Sequence, residues 1–316
     1  MSYLWAFLLS LVITMALIPP LSWLARKLGY MDKPTERKQH KLPTPLVGGV
    51  AMFLGFVPSF TVFVGFADKQ YGAIIGGALM ILIIGLVDDY WKTRGKEFPV
   101  FPRVVVQLGA AALVFAFGIR FAYFTNPFTD QMILIHPVLQ FVLTVLWIFG
   151  VTTVMNFSDG LDGLAGGFSG ITAATFFILS IFMGQTDSAF MCAALIGCVI
   201  AFLRFNFFPT KTKIFMGDSG ATFLGFLLAV ISLHGAFKQA TVVSMAVPML
   251  ALGVPIFDNI FVVIKRFLSR KPIYKADASQ IHYRLMQKGL NPTQTVAFLF
   301  LVSLCLNLTS IIIMLL

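Results

Sequence analysis

Polar residues are sparse along this chain, and they bunch. Ten apolar runs lie near residues 3–24, 46–66, 71–87, 104–118, 132–151, 164–183, 188–203, 221–233, 242–264 and 293–316. A helix needs about 20 apolar residues to cross a bilayer, so each run is expected to be a spanning helix, the third, fourth, seventh and eighth being short. Pro248 and Pro255 fall in the ninth run, where proline removes an N–H donor and crowds the preceding turn. That helix is expected to kink or break. No repeat or linker divides the chain, so the pattern predicts one integral domain over residues 1–316. The fold class is all-α: a polytopic membrane protein of about ten transmembrane helices.

Composition agrees with the pattern. The 316 residues are 58% hydrophobic and 11% charged, against about 25% charged in an ordinary soluble domain. Cys192, Cys198 and Cys305 all sit in apolar runs, so neither a disulfide framework nor a zinc site is indicated. The first run is long, and its basic residues follow it, as in a spanning helix and unlike a cleavable leader.

The formal charge of +10 would suggest nucleic acid in a soluble protein. Here its distribution decides otherwise. With the N-terminus outside, 20 of the 23 lysines and arginines fall in loops on one side, against Lys69, Arg120 and Lys238 on the other. Basic loops stay in the cytoplasm, which leaves both termini outside. The acidic clusters then lie on the cytoplasmic side of the inner (plasma) membrane.

Those clusters carry the candidate chemistry. Asp88 and Asp89 end the third run, with Lys92 one turn on. Acids at a helix C-terminus oppose its dipole, so a solvated helix end explains two of them poorly. Asn156, Asp159 and Asp162 recur every three residues, which would place them on one side of a helical turn. One acid would suffice to cap the helix that follows; an amide and two acids suit a hard cation such as Mg²⁺ or Mn²⁺. Asn206 and Asp218 flank a short loop holding Lys211 and Lys213. Asp218 could cap the eighth helix, but a helix N-terminus with Gly217, Ser219 and Gly220 also offers N–H groups to a phosphate. A carboxylate there needs a cation between it and that phosphate. Asp258 is the one carboxylate well inside an apolar run, with structural and functional readings balanced. Gln280-Ile-His282-Tyr283-Arg284 lies in the longest basic loop, where a lone histidine is commonly just a surface residue.

Taken together these blocks resemble the polyprenyl-phosphate N-acetylhexosamine-1-phosphate transferases, the WecA/TagO branch of the MraY superfamily, of glycosyltransferase family 4 type. Gly48-Gly49 after His40 and Pro45, Asp88-Asp89, the Asn156-x-x-Asp-Gly-x-Asp-Gly-Leu-Ala block, the Phe-Met-Gly-Asp-Ser-Gly block at Asp218 and the His282 loop stand in the family's order. The resemblance implies a cytoplasmic cleft among about ten helices. It also implies transfer of a sugar 1-phosphate from a UDP-N-acetylhexosamine, above all UDP-GlcNAc, to polyprenyl (undecaprenyl) phosphate, with release of UMP. This is the first membrane step of teichoic-acid, O-antigen or capsule-type glycan synthesis.

By the same resemblance Asn156 and Asp218 would hold Mg²⁺, with Mn²⁺ as a substitute. Asp88 would be the base or phosphate-positioning acid, Asp89 its neighbour, and Asp159 and Asp162 would line the metal and nucleotide pocket beside Asn206. Lys92, Lys211, Lys213, His282 and Arg284 would bind substrate. Many relatives carry His-x-His-His in the last loop, where this chain has Gln280, His282 and Tyr283. The partners implied are the two substrates and membrane lipids, without nucleic acid; a homodimer is compatible, and the oligomeric state stays open. The rival readings are a muramoyl-pentapeptide transferase, which lacks its His-rich block here, a transporter or flippase, and a membrane scaffold.

Overall fold

The computed structural model describes residues 1–34, 42–66, 69–125, 131–208, 211–234, 242–269 and 279–315. His40, Asp68, Asp130, Lys238 and several of the basic loop residues counted above, Arg37, Lys38, Lys41, Arg270, Lys271 and Lys275, lie outside the described residues. The helices are α1 (Ser2–Leu28), α2 (Gly48–Val64), α3 (Lys69–Thr93), α4 (Val100–Ala116), α5 (Pro137–Ser158) and α6 (Leu164–Phe182). They continue as α7 (Thr186–Asn206), α8 (Gly217–His234), α9 (Val242–Ala251), α10 (Gly253–Leu268), α11 (Ile281–Gln287) and α12 (Pro292–Leu315). Two short antiparallel pairs, β1 (Met31–Asp32) with β2 (Thr44–Pro45) and β3 (Tyr123–Thr125) with β4 (Met132–Leu134), fasten loops and leave the class all-α.

Among the described residues seven helices (α1, α3, α5, α6, α7, α8 and α12) are long and apolar enough to cross a membrane, and α2 and α4 are shorter apolar helices. The protein is therefore a multi-span membrane protein. Helix ends depart from the apolar runs in an instructive way. α3 continues six residues beyond the third run and α7 three beyond the seventh, because helical hydrogen bonding does not require apolar side chains. The continuation puts Asp88, Asp89, Lys92 and Asn206 on helices. The fifth run begins too early: residues 132–134 are a strand, and the helix starts at Pro137, whose ring pre-sets the first helical turn.

The ninth run is divided into α9 and α10 at Leu252. Pro255 has no N–H to give the Ala251 carbonyl one turn back. That carbonyl instead accepts hydrogen bonds from Thr172 Oγ1 at 2.9 Å and Asn307 Nδ2 at 3.0 Å. Partners on α6 and α12 thus satisfy a polar group that lipid could not.

α8 is the axis of the packing, with its side chains from Ser219 to His234 all buried. Gly77 and Gly85 of α3 lie against Phe226 and Ser219, and Gly225 lies against Thr152 and Met155 of α5. Small residues of this kind let helices approach closely in a membrane. One continuous apolar core joins these helices. The outer faces of α1 and α12 expose Leu4, Trp5, Val12, Leu301, Leu304 and Ile312, which suits lipid. Because α3 and α5 end where α8 begins, their polar C-terminal turns meet its N-terminus at one end of the bundle.

Candidate active site

The first part of the site is the junction of α3 with α8. The leading N–H groups of a helix have no partner within it. Asp89 supplies one: its Oδ1 accepts from the Asp218 N–H at 2.8 Å, and its Oδ2 from the Ser219 N–H at 3.1 Å and hydroxyl at 2.8 Å. Negative charge at a helix N-terminus is favoured by the dipole, so Asp89 at the end of α3 is placed by the start of α8. Gly217 is required here. Its φ is +74°, and a Cβ would stand 2.4 Å from Asp89 Oδ2. Asp89, rather than Asp218, caps α8, which leaves the Asp218 carboxylate free for other contacts.

Those contacts are cations. Lys92 Nζ lies 2.5 Å from Asp218 Oδ2 and 3.4 Å from Asp88 Oδ2. Arg103, in the first turn of α4, donates to Asp88 Oδ2 at 3.0 Å and stands 3.8 Å from Asp218 Oδ2. Asp88 and Asp89 are each 1% exposed, a burial that carboxylates tolerate only when paired. In the sequence Arg103 is only one of many basic residues outside the apolar runs. Tyr30 carries no sequence signal, yet its hydroxyl donates to the Leu86 carbonyl at 3.0 Å. Burial and the charges of Asp89, Asp218 and Asp88 raise its pKa, so the hydroxyl keeps its proton.

The second part is the turn between α5 and α6. Asn156 sits on the last turn of α5, and its side-chain amide makes no hydrogen bond among the described residues. The helix stops at Ser158, so Asn156, Asp159 and Asp162 do not share one helical face as their spacing suggested. Asp159 is the C-cap residue, and Gly163, at φ +80°, turns the chain into α6. Asp159 reaches the surface but is hemmed in by protein. Lost hydration first, then the charges of Asp218, Asp89 and Asp162, push its carboxyl up to about 8, with Lys92 pulling the other way. Asp162 forms an exposed ion pair with Lys213 at 2.5 Å.

Asn206 shapes this turn. Its Oδ1 accepts from the Gly163 N–H at 2.7 Å and its Nδ2 donates to the Ile214 carbonyl at 3.0 Å, so both ends of the amide are engaged with backbone. Lys211 is exposed on the same short loop.

The third part is α11. His282 is 1% exposed, and its imidazole presses on Gly160, where a Cβ would stand 2.2 Å from Nε2. Burial lowers its pKa to about 4, so the ring is neutral at pH 7. Arg284 is engaged with Asp258, Nη2 to Oδ1 at 2.8 Å. Thus Asp88, Asp89, Lys92 and Asp218 meet at the junction, while Asp162 with Lys213, Asn206 and His282 gather around the α5–α6 turn; Asn156, Lys211 and Arg284 make no side-chain bond to either group among the described residues.

The donor chemistry fits Mg²⁺. Asn156, Asp159 and Asp218 offer oxygen alone, and the Lys92 ammonium already stands between two carboxylates. Among the described residues no three His, Cys, Asp or Glu side chains form a cage, and Mg²⁺ needs none when phosphates and water complete its shell.

Residues 71–236 match glycosyl transferase family 4. A probable undecaprenyl-phosphate N-acetylglucosaminyl 1-phosphate transferase of Bacillus subtilis is 34% identical over 307 residues, 97% of this chain and 84% of the relative. The decaprenyl-phosphate N-acetylglucosaminephosphotransferase of Mycobacterium tuberculosis is 28% identical, covering 92% of this chain and 77% of its own length. The undecaprenyl-phosphate alpha-N-acetylglucosaminyl 1-phosphate transferase of Escherichia coli K12 is 25% identical, covering 88% and 74%.

Proposed function

We infer the reaction from one premise: the chain belongs to glycosyl transferase family 4. It transfers an N-acetylhexosamine 1-phosphate, GlcNAc 1-phosphate foremost, from a UDP-sugar to a polyprenyl phosphate. An oxygen of the lipid phosphate joins the β-phosphorus of the donor, the bond from that phosphorus to UMP breaks, and UMP leaves. The observation that carries the reading is the joining of three acids, Asp88, Asp89 and Asp218, with Lys92 and Arg103 at one end of a lipid-embedded bundle.

The roles rest on position in the site and on side-chain chemistry. Asp218 and Asn156 would hold Mg²⁺, which when bound would neutralise charge developing on the departing phosphate. Asp89 holds Asp218 by the backbone, as a positioning residue. Asp88, fixed by Arg103 and Lys92, takes the proton of the lipid phosphate or positions it. Asp159 and Asp162 line the nucleotide pocket that Asn206 shapes. Lys92, Arg103, Lys211 and Lys213 let two anions approach each other. His282 borders the pocket at Gly160. Arg284 serves through Asp258.

The finer topology belongs to the same proposal. α2, α4 and the broken pair α9–α10 join the seven longer helices to make ten crossings around a cytoplasmic cleft. Both termini are outside, and the chain acts as one integral domain. A homodimer is an assembly the chemistry does not require, and its mass in detergent decides it.

The test is UMP release by purified protein with UDP-GlcNAc, undecaprenyl phosphate and Mg²⁺. Release that requires all three supports the proposal, with UDP-GalNAc a weaker donor and UDP-MurNAc-pentapeptide inert. Preference for the pentapeptide donor would move the chain to the other branch. Release independent of lipid, or none from any donor, overturns the reaction.

A further inference from the structure

α11 is seven residues long, too short to hold its own shape in water, so the place of His282 is set by whatever fastens α11 to the bundle. Three fastenings are visible. Both carboxylate oxygens of Asp258 accept from the Ile281 N–H at 2.9 Å, and Oδ1 also accepts from Arg284 Nη2 at 2.8 Å. The Arg284 guanidinium lies over the Phe261 ring at 4.2 Å. On the opposite side Gln280 Nε2 donates to the Phe157 carbonyl at 2.9 Å, next to Asn156. Between these anchors the His282 ring is pinned on Gly160, and its Nε2 is buried without a hydrogen-bond partner among the described residues.

We propose that Asp258, Arg284 and Gln280 form a clasp that positions His282 beside the Asn156–Asp162 turn, so that Asp258 governs donor use without touching the donor. This rests on the reading of the site as a UDP-sugar transferase. The clasp explains why a carboxylate stands inside an apolar run. The break at Pro255 starts a new helix, α10, and Asp258 in its second turn is the residue that reaches α11. It also explains how this chain works with one imidazole in its last loop. Gln280 spends its amide on α5, and Tyr283 lies against the His282 ring with centroids 4.2 Å apart. An unpaired buried nitrogen is costly, and a polar group of the donor would satisfy it.

Two measurements on the full-length protein in detergent test the clasp. The first is carbethoxylation of His282 by diethyl pyrocarbonate, read by mass spectrometry. Wild type is expected to react slowly, and Asp258→Ala and Arg284→Ala about tenfold faster or more. Where Asp258→Ala does not fold, Asp258→Asn, which loses the ion pair but keeps the shape, is read instead. Equal protection of His282 in all variants overturns the clasp, whatever the protein's activity. The second is a kinetic cycle. Asp258→Ala should raise KM for UDP-GlcNAc about tenfold or more, a misplacement effect, and leave KM for undecaprenyl phosphate within about twofold. In a His282→Ala background the same change should add little. Additive losses, or a shift in the lipid KM instead, overturn the positioning role. A wild-type protein with no transferase activity would sink the proposed reaction while the labelling arm still decides the clasp.

Discussion

The α3–α8 junction and the α5–α6 turn hold the same kinds of side chain and treat them oppositely. At the junction every carboxylate is spoken for: Asp89 by three donors of α8, Asp88 and Asp218 by Lys92 and Arg103. In the turn, among the described residues, Asn156 has an idle amide, Asp159 lacks a counter-cation of its own, and Asp162 is held by one exposed lysine. The junction is therefore preorganised before any ligand arrives, and the turn is left for a ligand to complete. Preorganised charges cost no reorganisation at the moment of reaction, while an open carboxylate keeps its capacity for an incoming cation.

The largest effect is expected where the two regions share work. Asp218→Ala should abolish UMP release with the protein still folded and inserted, and excess EDTA should do the same to wild type. Near-normal turnover in either condition removes Asp218 from the metal site. Next comes Asp88→Asn, expected to lower kcat by about 10²–10⁴, the span for loss of an acid–base group. A rise confined to the donor KM would assign Asp88 to binding.

A third pair of variants sets the regions against each other through stability. Asp89→Asn should destabilise by about 1–3 kcal/mol, since N–H groups at the start of α8 lose a charged acceptor. Asp159→Asn should stabilise instead, by less, because the carboxyl is exposed to solvent. A carboxyl whose folded pKa is raised to about 8 favours the folded state when protonated. That stability is complete below about pH 4, the ordinary range, and is lost as pH rises through about 8. In EDTA, then, wild-type melting temperature should fall across this window, the Asn variant should show a weaker dependence, and Mg²⁺ should flatten it. A wild-type curve insensitive to pH contradicts the crowding of Asp159. The smallest effect belongs to Lys213→Ala, because an exposed pair is worth at most about 1 kcal/mol. A change of only a few-fold in donor KM is expected, and a collapse of kcat would place Lys213 much nearer the reacting phosphates.

Much of this was legible in the sequence, for physical reasons that can be named. Spanning helices are written in local apolarity, and acids beside glycines at the ends of such runs are expensive enough to be conspicuous. Asp88, Asp218 and Asn156 stood out on that ground. Arg103 and Tyr30 did not, because a basic residue between two apolar runs and a tyrosine at the end of one are ordinary in a membrane protein. Nothing local marks them as facing Asp88 or the end of α3. The spacing of Asn156, Asp159 and Asp162 suggested one helical face, but the helix ends at Ser158 and only Asn156 is on it.

The sequence by itself determined the solvent of this protein, the approximate number of its helices and the end of the bundle where charge would gather. All three depend on properties each residue carries alone: its transfer energy into lipid and its charge. Only the tertiary structure decided which acid meets cations and which one caps a helix. Asp88 and Asp89 are neighbours with the same side chain, and nothing in their order says that Asp89 caps α8 while Asp88 meets Lys92 and Arg103. Asp258 likewise became an anchor for α11 through a partner 26 residues away. The roles of such groups are set by what lies within about 3 Å of them, and that distance is fixed by packing between helices far apart in the chain.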